Sequence, residues 1–447
     1  MAAHSAHRPY TGLPLVRSFS SAPRARIPPR MSTILSTPFH TALLPGLQDR
    51  PGDDPIFTLN AEAQRRAQAG EEITNATLGA LMDDDGKLCV LPSVAEAIAG
   101  VDKARASAYA PISGPPAFLD AVIRDTFGTS ELGKISTAVA TPGGTGAIFT
   151  ATTCFLEPGQ AMLVPSFFWG PYKTIANHTR RAVETFRMFD EAGRFDLKSF
   201  EERLAALVAR QGRALVVFNF PCNNPTGYSL DEAEWEAVTD IVARQGKRAP
   251  IAFLIDLAYA RFGAAGSEAW IGHMERINRV AQVLVAWSAS KAFVQYGARV
   301  GALLAVHTED DHRRRLANAF SFACRGSWSN CNHLGMLAVT ELLTNPSLAE
   351  RVSAERAELI ELLGTRVERF NAEAQGHDLS YPRYEGGFFV SVFTPNAAKT
   401  AEVMKERGVF VVPNTGAVRV ALCSTPTESI PKIVEALAAG VRAAEAG

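Results

Sequence analysis

Six short apolar runs, separated by amphipathic stretches, limit what this chain can fold into. TAVAT (137–141), AMLVP (161–165), ALVVFNF (214–220), IAFLID (251–256), QVLVAWS (282–288) and GALLAV (301–306) read as strands. None alternates strictly between apolar and polar residues, so each predicts a strand covered on both faces. The stretches between them supply helices for that cover. The fold class is therefore α/β, a mostly parallel sheet flanked by helices. After about residue 345 the pattern changes. A charged amphipathic stretch, LAERVSAERAELIELLGTRVERFNAEA, leads into GGFFVSVF, GVFVVP and RVALC, which predicts one long helix and a smaller α+β domain.

Charge and composition narrow the partners. The 447 residues carry 45 Lys+Arg against 46 Asp+Glu, a net charge of -1, which argues against general binding to a phosphate backbone, so no nucleic acid is expected. No apolar run approaches the roughly 18–20 residues needed to cross a bilayer, so no membrane association is expected either. Cys89, Cys154, Cys222, Cys324, Cys331 and Cys423 are scattered singly and form no CxxC pair. They read as reduced thiols of an intracellular protein, with no metal site. Residues 1–30 contain Arg8, Arg17, Arg24, Arg26 and Arg30 and no acidic residue. That is either an organelle transit segment or upstream sequence with Met31 as the working start. The expected location is cytoplasmic, or mitochondrial if the segment is a real transit peptide.

The residues that carry chemistry stand at strand ends, where open α/β sheets bind ligands. Thr141-Pro-Gly-Gly-Thr-Gly-Ala147 follows TAVAT and opens a helix. Its glycines would let backbone N–H groups approach an anion, with the Thr145 hydroxyl and the helix N-terminus adding to the attraction. By itself such a pattern is weak evidence, since a Gly-rich strand-to-helix turn is more often only a turn. Asp256 closes IAFLID, and Lys291 follows QVLVAWSAS among apolar and aromatic neighbours. Desolvation and a nearby arginine both lower an amine's pKa, which makes Lys291 a candidate Schiff-base nucleophile. Ser288, Ser290 and Arg299 would then donate to a phosphate.

TPGGTGA at 141–147, NNPTG at 223–227, DLAY at 256–259, SxSK at 288–291 with an arginine eight residues later, and RVAL at 419–422 occur in that order. Together they resemble the class I aminotransferases, fold type I pyridoxal-phosphate (PLP) enzymes, and most of all the aspartate and aromatic amino-acid branch. The likeness runs from DDPIF (53–57) to the C-terminus. It implies a large PLP-binding domain at 89–354, a small domain built from 51–88 and 355–447, and an arm at 31–50 that packs on a partner subunit. In that family Lys291 would hold PLP and move the proton between Cα and the cofactor. Asp256 would pair with the pyridine nitrogen, keeping it protonated so that the ring accepts electrons. Asn224 and Tyr259 would hydrogen-bond the ring's phenolic oxygen. Gly144, Thr145, Ser288, Ser290 and Arg299 would form the phosphate cup, with Tyr109 reaching it from the neighbouring subunit of a homodimer. Arg419 would take the substrate's α-carboxylate in a two-pronged bond. Trp169 would stack on the cofactor ring and, with Asn224, border the substrate.

The resemblance departs from the family at two places. The motif Pro-Ser-Trp appears as Pro165-Ser-Phe-Phe-Trp169, so Phe167 or Phe168 could take the stacking place. The glycine-rich substrate loop appears as LGALMDDDGK (78–87), with Leu81 where a glycine is expected and Asp83 where an aromatic is common. A bulkier residue there would narrow the pocket or repack its wall. Arg325, 34 residues beyond Lys291, resembles the arginine that reaches across the dimer to a distal carboxylate. The implied activity is transamination between an amino acid, aspartate/glutamate or aromatic, and a 2-oxo acid. The alternative is a PLP-dependent lyase on the same scaffold. A PLP-sensing transcription regulator would need a DNA-binding domain for which residues 1–60 are too short and Pro-rich.

Overall fold

The computed structural model describes residues 41–50, 52, 54–264 and 266–446. The proposed transit segment at 1–30 and the first ten residues of the proposed arm lie outside them. Residues 53–447 group as one compact unit, and of the residues before it a single turn of 3₁₀ helix at Pro45–Leu47 is described.

Among its described residues this unit contains twelve strands: β1 Thr74–Asn75, β2 Ser136–Pro142, β3 Ala161–Pro165, β4 Ala182–Phe186, β5 Ala214–Phe218, β6 Ile251–Asp256, β7 Gln282–Ser288, β8 Val300–Val306, β9 Phe389–Phe393, β10 Val409–Phe410, β11 Val412–Asn414 and β12 Ala417–Ala421. Seven of them form the main sheet in the order β2-β8-β7-β6-β5-β3-β4. All pairs are parallel except those of β8, which runs antiparallel to both β2 and β7. Every residue of β3, β5, β6 and β8 is buried, as their unbroken apolar runs require. The sixth apolar run is thus a strand of reversed direction. Strand β4 has no counterpart among the six runs, because Ala182 and Thr185 on this sheet edge are exposed.

Two apolar clusters sandwich the sheet, one around Phe218, Phe253 and Val285 and the other around Val217, Leu254 and Leu284. Alternate residues of one strand thus face opposite layers. Each such side chain contributes about 1.5–3 kcal/mol on burial, so the strand ends are fixed points from which a site can be built. Aspartates start the covering helices: Asp196 accepts from Ser199, and Asp231 forms a capping box with Glu234.

The helix Pro346–Ala374 has 29 residues, about 43 Å, and crosses the expected 354/355 boundary without interruption. Beyond it β9, β11 and β12 form an antiparallel sheet in the order β11-β12-β9, with Arg419 opposite Ser391. Thr74 and Asn75 pair with Val409 and Phe410, which brings the chain before residue 80 against the C-terminal segment. A third apolar cluster around Phe370, Val390, Val418 and Leu437 holds this part together.

Candidate active site

Strands β2, β5, β6 and β7 share a direction, so their carboxyl ends open on one side of the sheet. Pro142, Phe218, Asp256 and Ser288 end these strands. The turns beyond them carry Gly143, Asn224, Tyr259 and Lys291. Strand order alone therefore converges the residues that the sequence spreads over 150 positions.

Asp256 is buried, and burial pushes its carboxyl above the ordinary value. Three groups oppose that rise: the Tyr172 hydroxyl, which donates to Oδ2 at 2.6 Å, the Ala258 N–H, which donates to Oδ1 at 3.1 Å, and the charge of Lys291. Burial and the facing carboxylate lift the Tyr172 phenol well above its ordinary value, so it stays a donor. Sequence reading missed Tyr172. It stands three residues after Trp169 in the first turn of the helix Pro171–His178, and nothing in its neighbours marks a bond to a residue 84 positions away.

Lys291 follows β7 in the short helix Ala289–Ala292, its ammonium 5.4 Å from the centre of the Tyr259 ring and 5.7 Å from that of Tyr296. Burial lowers its pKa to about 8; Arg299 adds to the depression and Asp256 opposes it. Tyr259 is raised by the same burial and accepts a hydrogen bond from Asn224 Nδ2 at 3.1 Å. The Asn224 backbone N–H is fixed in turn by Asn219 Oδ1 at 2.8 Å.

Arg419 on β12 is 5% exposed and lies over the Phe389 ring, 4.3 Å from its centre. Its Nη2 donates to the Thr77 carbonyl at 2.6 Å and its Nη1 to Asn224 Oδ1 at 3.4 Å. Its Nε has no partner among the described residues. A buried cationic donor left open is costly, and a carboxylate is the ligand it fits.

The turn after β2 enters the helix Gly143–Phe155 at once. Arg299 reaches over it, donating to Ser290 Oγ at 3.0 Å and to the carbonyls of Tyr296 at 3.0 Å and Pro142 at 3.4 Å. Ser288 Oγ accepts from the Ser290 N–H at 3.2 Å. The structural constraint falls on Gly143 rather than Gly144. A Cβ on Gly143 would stand 2.5 Å from Arg299 Nη2 at a backbone φ of +70°, whereas one on Gly144 would meet Ser288 at an ordinary 3.5 Å. Partly exposed Gly144 and Thr145 follow in the first turn, where free N–H groups favour an anion.

Of the three aromatics after β3, Phe167 packs between Phe189 and Phe393, at 5.9 and 5.7 Å. Phe168 and Trp169 flank Tyr172 instead, Phe168 parallel to it at 6.4 Å and Trp169 edge-on at 5.4 Å. Leu81 is fully buried in the main core, so the bulkier residue repacks the wall, and its N–H donates to the Tyr296 hydroxyl at 2.9 Å. Asp83 turns to its own loop and accepts from the Lys87 N–H. Tyr109 is 91% exposed and Arg325, also exposed, donates only to Ser329 Oγ among the described residues, so one chain does not bring either to Lys291. The six cysteines are all free, and no cluster of potential metal ligands occurs among the described residues.

A family model described as "Aminotransferase class I and II" matches residues 71–437. The chain belongs to that family. As an aminotransferase it is an enzyme of the transaminase class. It is 29% identical over 340 residues to the aromatic-amino-acid aminotransferase of Paracoccus denitrificans, covering 74% of this chain and 82% of the relative. It is 28% identical over 398 residues to the aspartate aminotransferase of Pseudomonas aeruginosa, covering 85% of this chain and 96% of the relative. The crystal structure of an aminotransferase from Anaerococcus prevotii matches it with a TM-score of 0.84 and 30% identity, covering 90% of this chain and all of that one. The fold is accordingly that of the fold type I aminotransferases.

Proposed function

We propose that the protein moves an amino group between an amino acid, aspartate/glutamate or aromatic, and a 2-oxo acid, with pyridoxal phosphate as cofactor. The observation that carries the reading is Lys291, an amine lowered to about 8 by burial, beside Asp256 and joined to Arg419 through Tyr259 and Asn224. Two features fit the cofactor and a substrate acid: the cradle under Arg299 that a Cβ on Gly143 would fill, and the open Nε of buried Arg419. Bound there, pyridoxal phosphate supplies the electron sink that lets a proton leave an amino acid's α-carbon.

The chain's own groups divide the rest. Ser288, Ser290, Arg299 and the N–H groups at Gly144 and Thr145 hold the phosphate. Asp256, aligned by Tyr172, holds a proton at the ring nitrogen. Asn224 and Tyr259 orient the phenolic oxygen, and Trp169 borders ring and substrate. Lys291 binds the cofactor and carries the proton at the α-carbon. Arg419 fixes the α-carboxylate. In this reading residues 89–354 form the cofactor lobe, and 51–88 with 355–447 form the lobe that carries Arg419.

The working unit is a homodimer with shared sites, in which Tyr109 and Arg325 serve the neighbouring subunit. Their exposure supports this, as does Phe322, 84% exposed one turn before Arg325 on the same helix. No helix among the described residues is long and apolar enough to cross a membrane. We place the protein in the cytoplasm, or in the mitochondrion if residues 1–30 act as a transit segment.

The test is the absorbance of the protein loaded with pyridoxal phosphate, with aspartate, glutamate and phenylalanine added separately. Conversion of the visible cofactor band by one donor, and its return on adding a 2-oxo acid, is the expected result. Absence of any visible band in the loaded protein removes Lys291 from the reading. Release of ammonia without a 2-oxo acid marks elimination chemistry instead.

A further inference from the structure

Arg366 is fully buried, a charged side chain in the interior with no catalytic assignment. From the long helix its Nη1 donates to the carbonyls of Leu422 at 3.3 Å and Cys423 at 2.9 Å. Its Nη2 donates to the Met82 carbonyl at 2.9 Å and to Asp84 Oδ1 at 2.7 Å. Asp84 also accepts from the N–H and hydroxyl of Thr427, at 2.9 and 3.1 Å. Burial would raise the Asp84 carboxyl, but Arg366 and Thr427 hold it below its ordinary value. One planar fork thus ties the loop that departs from the family's glycine-rich pattern to the segment that follows Arg419.

The same loop runs between the two ends of the site. The Thr77 carbonyl receives Arg419 Nη2, the Met82 N–H donates to the Cys423 carbonyl at 2.9 Å, and the Leu81 N–H donates to Tyr296, whose ring flanks Lys291. Leu81 is sunk in the core and Gly79 has the Phe389 ring flush against it, 2.6 Å from where a Cβ would stand. Lifting the loop would expose Leu81 and strip one carbonyl partner, Met82, and one carboxylate partner, Asp84, from buried Arg366.

We propose that Arg366 and Asp84 are positioning residues that hold residues 77–84 as a fixed wall between Arg419 and Lys291, and so set how tightly the donor's carboxylate end is received. The proposal deepens the transaminase reading and rests on it. Stability alone does not account for the pair. Arg366 Nε has no partner among the described residues, and the counter-ion, Asp84, has a side chain 49% exposed. Apolar packing at such a position is commonly as stable or more so, whereas a rigid fork demands one arrangement of all four acceptors.

The experiment uses Asp84→Ala, which removes only a half-exposed side chain, with Asp84→Asn as the conservative partner that can still accept from Arg366. Hydrogen exchange over the 77–88 segment is compared with the steady-state constants of the loaded enzyme and with the dissociation constants of succinate and 3-phenylpropionate, which bind without reacting. In Asp84→Ala the expected result is exchange about tenfold faster, donor KM and both dissociation constants raised about tenfold, and kcat within about twofold. Asp84→Asn recovers most of the loss. Unchanged exchange, or faster exchange with unchanged KM and dissociation constants, overturns the proposal. So does a fall in kcat that accompanies an altered cofactor band, because the pair would then act through the fold as a whole. A wild-type protein that takes up pyridoxal phosphate but converts no amino donor defeats the transaminase reading instead. The wall is then judged by exchange and the two dissociation constants alone.

Discussion

Capture of the cofactor should be governed by the neutral fraction of Lys291, which makes pH the sharpest perturbation. An amine with a pKa of about 8 is neutral in roughly one molecule in ten at pH 7, against about one in 3,000 for the ordinary 10.5. The buried lysine should therefore present about 300 times more nucleophile at pH 7 than a solvated one. The sign follows from the causes. Burial disfavours the ammonium, Arg299 repels it, and Asp256 favours it. In stopped-flow absorbance with apoprotein and pyridoxal phosphate, the capture rate should climb with pH and level off above about pH 8. Dividing by the rate constant of a free alkylamine, expressed per neutral amine, removes the cofactor's own titrations. Arg299→Gln removes a repelling charge and should move the midpoint up, and Asp256→Asn removes an attracting charge and should move it down. Arg299→Gln also weakens phosphate binding, so the midpoint is read and the amplitude is not. A rate that keeps rising through pH 10, or midpoints indifferent to both substitutions, would refute the idea that burial among Tyr259, Tyr296 and Asp256 activates this lysine.

Two further substitutions probe the supports of the site. Tyr172→Phe deletes a donor to a buried carboxylate, a bond worth about 1.5–3 kcal/mol, so the donor half-reaction should slow by about 10- to 100-fold. Since Tyr172 helps keep Asp256 charged, its loss raises that carboxyl further, and the acid limb of the pH–rate profile should shift upward; an unmoved acid limb would mean Asp256 needs no such partner. Gly143→Ala sets a methyl against Arg299 in a left-handed backbone, and should cost about 1–2 kcal/mol of stability and weaken cofactor affinity at least tenfold on the order of a lost charged bond. Equilibrium titration of the apoprotein with pyridoxal phosphate and thermal unfolding check both halves, and wild-type affinity would show that the cradle is looser than its geometry.

The parallel strands were legible because burial on both faces leaves no room for polar residues, so the first polar residue marks the strand end. That rule located Asp256 and the serines before Lys291 without any knowledge of tertiary contacts. It failed for β4, whose outer edge is wet and whose Glu184 pairs with Arg210 in solvent. It could not reach Tyr172, because a bond across 84 residues leaves no trace in local pattern. Gly143 was masked for another reason: two adjacent glycines look alike until Arg299 is known to fold back over one of them. Tyr109 and Arg325 raise a different problem, since the roles proposed for them need an assembly and a single chain leaves both exposed.

Arg366 is the instructive case, because the signal was present and was outweighed by composition. The stretch TRVERF reads as the charged face of an amphipathic helix, and for Arg369, bonded to Glu373 at 2.8 Å with half its surface in solvent, that reading holds. Yet Leu363, Val367 and Phe370 are buried at the spacing of a core-facing stripe, and Arg366 lies on that stripe. A cation in phase with the core must find several acceptors or not be there. Helical phase therefore separates two arginines three residues apart, one a solvated charge and the other a clamp on the loop beside Arg419. Amphipathic helices that leave a parallel sheet can be searched the same way, by asking which charged residue falls in the apolar phase and which backbone carbonyls wait for it.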